Sequence, residues 1–246
     1  MLIKKYIPNF ITLMNLFSGI IAVVFALNSD YYTAFYFLLL GIVFDFFDGF
    51  VARLLNVSSN LGLQLDSLAD MVTSGLVPGV VMYRLLLESQ GIGNYHLNIE
   101  TFFNAQHCIA LIGFTITLAS CYRLAKFNID SEQKEEFKGL PTPANAILIV
   151  STALIINSNT LDHKLEFIDS LIFLVSLTFI SSYLLNSPVR LIALKFLNFS
   201  LRGNIFRYIL IATSICLFVI LNIYALPIII FFYILLSIIK TITSHD

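Results

Sequence analysis

The sequence predicts an all-α integral membrane protein, a bundle of about eight transmembrane helices. Of the 246 residues, 58% are hydrophobic and 12% are charged, whereas a soluble domain carries about 25% charged residues. The mean hydropathy is +0.89. Apolar runs of membrane-spanning length, roughly 17–25 residues, recur along the whole chain. They lie at about residues 8–28, 31–54, 62–87, 104–125, 143–159, 167–185, 205–221 and 223–241.

The connections between these runs are short, so the whole chain, 1–246, is predicted to form a single membrane-embedded domain. The fifth run is short and contains polar residues, and only Asn222 separates the last two. The first run follows two lysines but is long and lacks a small-residue cleavage site, so we interpret it as a retained span. The three cysteines lie in apolar runs without CxxC spacing and are predicted to be small buried side chains.

The distribution of basic residues predicts a cytoplasmic N-terminus. With that orientation, twelve of the fourteen Lys and Arg residues fall on the cytoplasmic side, which is a strong positive-inside bias. Only Arg84 and Lys164 fall on the other side. The prediction is therefore a multi-pass protein of the cell (cytoplasmic) membrane, and the net charge of -1 gives no reason to expect a nucleic-acid partner. The cytoplasmic set is Lys4, Lys5, Arg53, Arg123, Lys126, Lys134, Lys138, Arg190, Lys195, Arg202, Arg207 and Lys240.

Four aspartates interrupt the second and third runs close to the polar turn that joins them. Asp45 and Asp48 share one helix face because they are three residues apart, and Asp66 and Asp70 are four apart. An antiparallel helix pair brings all four carboxylates together at the cytoplasmic face. Carboxylates inside a membrane are costly and are functional candidates. Their mutual repulsion indicates divalent cations such as Mg2+, which prefer oxygen ligands.

The spacing around these aspartates resembles the signature of the CDP-alcohol phosphatidyltransferase family. That resemblance implies a core of six helices, here followed by two C-terminal helices, and two divalent cations per site, Mg2+ or Mn2+. It implies that Asp45, Asp48 and Asp66 bind metal, with Asp45 and Asp66 bridging both ions. Asp70 would bind the second ion and act as the catalytic general base. The eight signature residues are Asp45, Asp48, Gly49, Ala52, Arg53, Gly62, Asp66 and Asp70.

The same resemblance implies a binding site for CDP-diacylglycerol at the cytoplasmic ends of the first three helices. Asn9, Thr12 and Asn15 recur at three-residue spacing on one face of the first helix. Helix capping and helix–helix hydrogen bonding are an alternative explanation for these three residues. The remaining residues expected to bind CDP-diacylglycerol are Gly49, Arg53, Ser59 and Gly62.

Two further segments, RLAKFN at 123–128 and FKGLPTPAN at 137–145, resemble the serine-specific branch of the family. They imply that L-serine accepts the phosphatidyl group, giving phosphatidylserine and CMP. Lys126, Thr142 and Asn145 stand where that branch commonly has arginine, serine and alanine. The residues expected to bind serine are Arg123, Lys126, Asn128, Pro141 and Thr142. On spacing alone, the side chains of Arg123 and Lys126 are equally well explained as anchors at the membrane surface. Pro141 and Pro143 are equally well explained as the start of a helix.

The resemblance covers residues 7–145, and the C-terminal helices at 167–241 match only in being hydrophobic. The loop that connects them contains Arg190, Lys195, Arg202 and Arg207. These basic residues are explained either as a signal that orients the chain in the membrane or by attraction to anionic membrane lipids. Glycerol 3-phosphate or inositol phosphate is the alternative acceptor within the family, and a cation transporter is a more distant alternative. The resemblance also admits a homodimer.

Overall fold

Every regular element in the described part of the chain is helical, as the sequence predicts. The computed structural model describes residues 2–57, 59–93, 99–129, 138–158, 167–192 and 201–243. The protein is an all-α membrane helical bundle. Its α-helices are α1 Leu2–Leu27, α2 Tyr31–Leu54, α3 Asn60–Asp70, α4 Val77–Glu88, α5 Ile99–Phe102, α6 Ala105–Ala110, α7 Thr115–Ile129, α8 Thr142–Ile156, α9 Leu171–Asn186, α10 Leu201–Leu221 and α11 Ala225–Thr243.

Within the described ranges, five helical stretches are long and apolar enough to cross a membrane, and two shorter apolar helices, α8 and α9, accompany them. The predicted number of eight spans therefore stays a prediction, as does the side of the membrane on which the N-terminus lies. The five stretches are Tyr6–Leu27, Tyr31–Leu54, Asn60–Glu88, Ala105–Ile129 and Asn204–Thr243.

The last of these stretches is a helical hairpin. Asn222 has a positive φ of 51°, and a 3-10 turn at Asn222–Tyr224 separates α10 from α11. Leu210 of α10 and Leu236 of α11 belong to one buried cluster with Ile192. Since these two leucines lie at similar separations from the turn, the helices fold back on each other there.

A π-helical segment, Met71–Leu76, joins α3 to α4 without a break. It begins directly after Asp70, the last residue of α3. The sequence predicts a single uninterrupted helix across this region and contains no signal for the change of helical period. Such π turns are rare and often mark functional sites.

The bundle is organised around α4 and α8, which are its most deeply buried helices. Nearly all of α4 is inaccessible, and Asn60–Glu88 is 78% buried against 33% for Tyr6–Leu27. The outer helices expose many large apolar side chains, as expected where the surroundings are lipid. The predicted burial of the cysteines is wrong: Cys108, Cys121 and Cys216 are all exposed. An apolar helix in a membrane turns part of its apolar surface to lipid, so hydrophobicity does not imply burial there.

A buried polar network ties the turn between α1 and α2 to the end of α4. Arg84 lies 3.3 Å from Glu88 and donates to Ser29 Oγ at 2.6 Å. Ser29 and Tyr31 donate to the same Glu88 carboxylate, at 2.5 and 2.8 Å. This network lies at the end of α2 opposite the aspartates, so it stabilises the fold away from the acidic cluster.

Candidate active site

Three of the four predicted carboxylates converge closely enough to share a metal ion. One oxygen each of Asp45, Asp48 and Asp66 lies within 4.8 Å of the other two. Asp45 is also within hydrogen-bonding distance of both Asp66 and Asp70. All four aspartates therefore form one cluster, contributed by α2 and α3. Oxygen-only ligands at this spacing fit a hard divalent cation such as Mg2+ or Mn2+.

The polar face of α1 supports the cluster from the side. Thr12 donates to Asp48 Oδ2 at 2.5 Å, and Asn15 Nδ2 donates to Asp70 Oδ1 at 3.2 Å. Thr73, in the π segment, donates to Asn15 Oδ1 at 2.7 Å and so orients the Asn15 amide. Two of the three predicted α1 residues therefore contact the acidic cluster itself.

Close packing behind the cluster depends on two glycines. A Cβ atom on Gly19 would lie 2.9 Å from Thr73 Cα, and one on Gly41 would lie 2.6 Å from Thr73 Cγ2. Both distances are shorter than normal contacts, so α1 and α2 approach the π segment only because these positions lack side chains. Sequence reasoning missed Gly19, Gly41 and Thr73, although small residues at helix contacts are common in membranes.

A cavity of about 320 Å³ adjoins the acidic cluster. Asp48 and Asp66 form part of its wall. Six of the seven residues predicted to bind CDP-diacylglycerol also line it: Asn9, Thr12, Gly49, Arg53, Ser59 and Gly62. The seventh, Asn15, is fully buried behind Asp70. The predicted residues of three separate segments thus surround one cavity.

Two glycines shape that cavity in different ways. A Cβ atom on Gly62 would lie 3.2 Å from Ser59 Oγ and 3.3 Å from Asn9 Oδ1, so a larger residue would crowd two polar groups of the wall. A Cβ atom on Gly49 would meet only the Arg53 guanidinium, at 3.8 Å. Ser59 also caps α3, because its Oγ accepts a hydrogen bond from the Gly62 backbone at 3.0 Å.

Arg123, one of the residues predicted to bind serine, is buried on α7. It is 8% exposed, and the ionisable groups that act on it electrostatically are Tyr233 and Asp70. Its Nε and Nη2 atoms are buried and have no hydrogen-bond partner among the described residues. Tyr233 belongs to α11, so the C-terminal hairpin comes close to the site, which hydrophobicity alone did not indicate.

The other four residues predicted to bind serine are placed differently. Lys126 is exposed on the surface of α7, while Asn128 donates to Ser67 Oγ of α3 at 2.8 Å. Pro141 is half-buried and Thr142 is buried at the start of α8. The structure does not bring Lys126 into the buried group that holds Arg123.

The loop before α8 is held by the end of α9. Gly139 and Leu140 donate backbone hydrogen bonds to Val189 and Leu184, each at 2.9 Å. Gly139 has a positive φ of 77°, and a Cβ atom there would overlap the Leu185 carbonyl. Glycine is therefore required at this position of the GLPTP segment.

These features define an integral membrane protein with a candidate metal site beside a cavity of ligand size. Residues 5–184 match the family described as CDP-alcohol phosphatidyltransferase. That match covers well over half of the chain. The chain belongs to the CDP-alcohol phosphatidyltransferase family and is an enzyme of that class.

Several curated relatives share the name CDP-diacylglycerol–serine O-phosphatidyltransferase. The relative from Bacillus subtilis is 32% identical over 146 residues, which cover 59% of this chain and 74% of the relative. The relative from Saccharomyces cerevisiae is 32% identical over 68% of this chain and 60% of its own length. The relative from Methanocaldococcus jannaschii is 32% identical over 68% of this chain and 70% of its own length.

Proposed function

We propose that this enzyme transfers the phosphatidyl group of CDP-diacylglycerol to the hydroxyl of L-serine, releasing phosphatidylserine and CMP. The observation that carries the proposal is the convergence of the aspartates beside a cavity. The buried Arg123 guanidinium, which has unpartnered donors and on which Asp70 acts electrostatically, supports an acceptor that carries a carboxylate. The relatives named for this reaction support it.

The acidic cluster is proposed to hold two divalent cations, Mg2+ or Mn2+. Asp45, Asp48 and Asp66 would hold the first, and Asp45, Asp66 and Asp70 the second. When bound, such ions would neutralise the charge that develops on the phosphate of the leaving CMP. Thr12 fixes the orientation of Asp48, which prepares that carboxylate for binding.

Asp70 is proposed to be the general base. Serine Oγ attacks the β-phosphorus of CDP-diacylglycerol, and its proton passes to Asp70. The bond from that phosphorus to the bridging oxygen breaks, and CMP leaves with the electron pair. Asn15 donates to Oδ1 of Asp70, so it would hold that carboxylate in a fixed orientation towards the acceptor.

The nucleotide is proposed to occupy the cavity. Arg53 offers a planar fork of donors for phosphate oxygens, and it lies in the wall with Asp48 and Asp66. Gly49 keeps the wall open beside that guanidinium. Asn9, Ser59 and Gly62 also line the cavity, and their backbone and polar side chains would contact the cytidine end.

Serine needs a cation for its carboxylate, and Arg123 is proposed to provide it. Its two unpartnered donors, Nε and Nη2, lie on one edge of the guanidinium group. That edge makes two parallel hydrogen bonds to a carboxylate. Buried donors without partners are costly, so a bound carboxylate explains why they are tolerated.

The protein is also proposed to form a single domain in the cell membrane, with its N-terminus and active site at the cytoplasmic face. Lys138 and Arg190, two of the basic residues predicted to be cytoplasmic, pair as an isolated β-bridge. They precede and follow the helices that approach the site, in agreement with the positive-inside prediction. The homodimer stays a prediction.

The test is CMP release by the purified, detergent-solubilised protein. CDP-diacylglycerol and Mn2+ or Mg2+ are supplied with L-serine, glycerol 3-phosphate or inositol phosphate in parallel. We expect release with serine only, loss of release with EDTA, and recovery when the metal is restored. Asp70→Asn should abolish release, because an amide cannot take the proton.

Release with a phosphorylated acceptor only would refute the serine assignment and leave the family activity standing. Release that is unaffected by EDTA would refute the metal proposal. Arg123→Lys is a useful companion variant: it keeps the charge but loses the planar fork, so we expect the KM for serine to rise while the KM for CDP-diacylglycerol is kept.

A further inference from the structure

Buried polar atoms without partners are concentrated in one region of the bundle. Among the described residues, seven buried side-chain nitrogen or oxygen atoms lack a hydrogen-bond partner, and six of them belong to four residues. Native structures pair most such atoms, so each exception needs an explanation. The four residues are Ser74, Ser120, Arg123 and Asn145.

These residues lie on the π segment and on the two helices that each pack against it. Ser74 is in the π segment, Ser120 and Arg123 are one turn apart on α7, and Asn145 is in the first turn of α8. Both α7 and α8 pack against the π segment. A Cβ atom on Gly75 would lie 3.2 Å from Ser120 Cβ, which places Ser120 directly against the π segment.

Burial makes these groups unlike ordinary helix-surface hydroxyls. Ser74, Ser120 and Asn145 are each 0% exposed. Several other buried hydroxyls bond to a backbone carbonyl of their own helix; Ser151 Oγ, for example, donates to Leu148 O at 3.1 Å. The hydroxyls of Ser74 and Ser120 make no such bond, so they are available to a ligand.

Five of these six unpartnered atoms, all but Asn145 Nδ2, match the head of an amino acid. An ammonium group has three donors, and the set contains three oxygens: two serine Oγ atoms and Asn145 Oδ1. A carboxylate has two acceptor oxygens, and Arg123 has two unpartnered donors. We propose that Ser74, Ser120 and Asn145 bind the ammonium group of the acceptor. This inference rests on the proposed function, which assigns the acceptor's carboxylate to Arg123.

Asn145 is the most informative of the three. It stands where the serine-specific segment GLPTPAN departs from the more common alanine, and both of its amide atoms are unpartnered. A buried amide that served no ligand would only destabilise the protein. Its contact with the acceptor is therefore an additional determinant of amino-acid recognition in this chain.

The test compares two acceptor ligands that differ only in the amine. CMP release is measured at saturating CDP-diacylglycerol with L-serine, and the affinity for 3-hydroxypropionate is measured as an acceptor or as a competitive inhibitor. The variants are Asn145→Leu, which keeps the branched shape of the side chain, and Asn145→Ala, should the larger leucine not fit. Ser151→Ala, on the same helix, is the matched control.

We expect Asn145→Leu to raise the KM for L-serine about tenfold, as the loss of one hydrogen bond to a charged group implies. The affinity for 3-hydroxypropionate and the KM for CDP-diacylglycerol should stay the same, because neither involves the ammonium group. The thermal midpoint without serine should rise, since the variant removes a buried unpartnered amide. Ser120→Ala should likewise raise the KM for L-serine without changing the affinity for 3-hydroxypropionate. Ser151→Ala should change neither the KM for L-serine nor the affinity for 3-hydroxypropionate.

The ammonium site would be overturned if the wild-type protein uses serine and the Asn145 variants keep the wild-type affinities for both L-serine and 3-hydroxypropionate. The proposed function would then still stand. Equal losses for serine and 3-hydroxypropionate would also overturn it, because they would indicate a general packing defect. A wild-type protein that releases no CMP with serine would refute the proposed function, and the inference with it.

Discussion

Replacing Asn15 by alanine is expected to lower kcat about 10- to 100-fold without a comparable change in either KM. Asn15 lies behind Asp70 and donates to its Oδ1 at 3.2 Å. A hydrogen bond to a charged group contributes about 1.5–3 kcal/mol, and each 1.36 kcal/mol on the barrier is tenfold in rate. The loss is expected in kcat because Asp70 takes its proton from an acceptor that is already bound. The KM for CDP-diacylglycerol should stay the same because Asn15 does not line the cavity proposed for the nucleotide.

The assay is CMP release over a range of serine and CDP-diacylglycerol concentrations. Ser18→Ala is the matched control: Ser18 is buried on the same helix but donates only to Met14 O, at 2.9 Å. It should leave kcat within about twofold of wild type, because the bond that it removes is neutral and goes to a backbone carbonyl of the same helix. A kcat of Asn15→Ala as high as that control, in a protein with an unchanged thermal midpoint, would refute the idea that Asn15 orients the base.

Two further substitutions separate metal binding from stability. Thr12→Val removes the 2.5 Å hydrogen bond to Asp48. The Mn2+ concentration for half-maximal activity should therefore rise about tenfold, as it does when other groups that orient metal ligands are removed. An unchanged Mn2+ titration would argue against Asp48 as a metal ligand. Arg84→Ala leaves the Glu88 carboxylate without its ion-pair partner, and the free energy of unfolding should fall by about 3 kcal/mol. Because that pair lies at the far end of the bundle, the Mn2+ titration should not move, and a shifted titration would contradict the separation.

The sequence by itself determined the helices and the position of the acidic cluster. Predicted runs at 31–54 and 62–87 correspond to Tyr31–Leu54 and Asn60–Glu88 in the structure. The reason is local: apolar length specifies a membrane helix, and residues three or four apart on a helix share a face. Asp45 and Asp66 could therefore be expected to meet as soon as a short turn joined their helices.

Contacts between distant helices were decided only by the tertiary structure. The sequence indicated a polar face on α1 that includes Asn15, but it did not indicate that Thr73 would orient the Asn15 amide. It also predicted only a hydrophobic segment at α11, although Tyr233 lies close enough to act electrostatically on Arg123. The same limit explains the exposed cysteines. In a membrane, lipid and protein interior are equally apolar, so hydrophobicity specifies that a helix spans but not which of its faces is packed against protein. That choice depends on small residues such as Gly41 and on polar pairs, whose partners become known only when the helices are assembled.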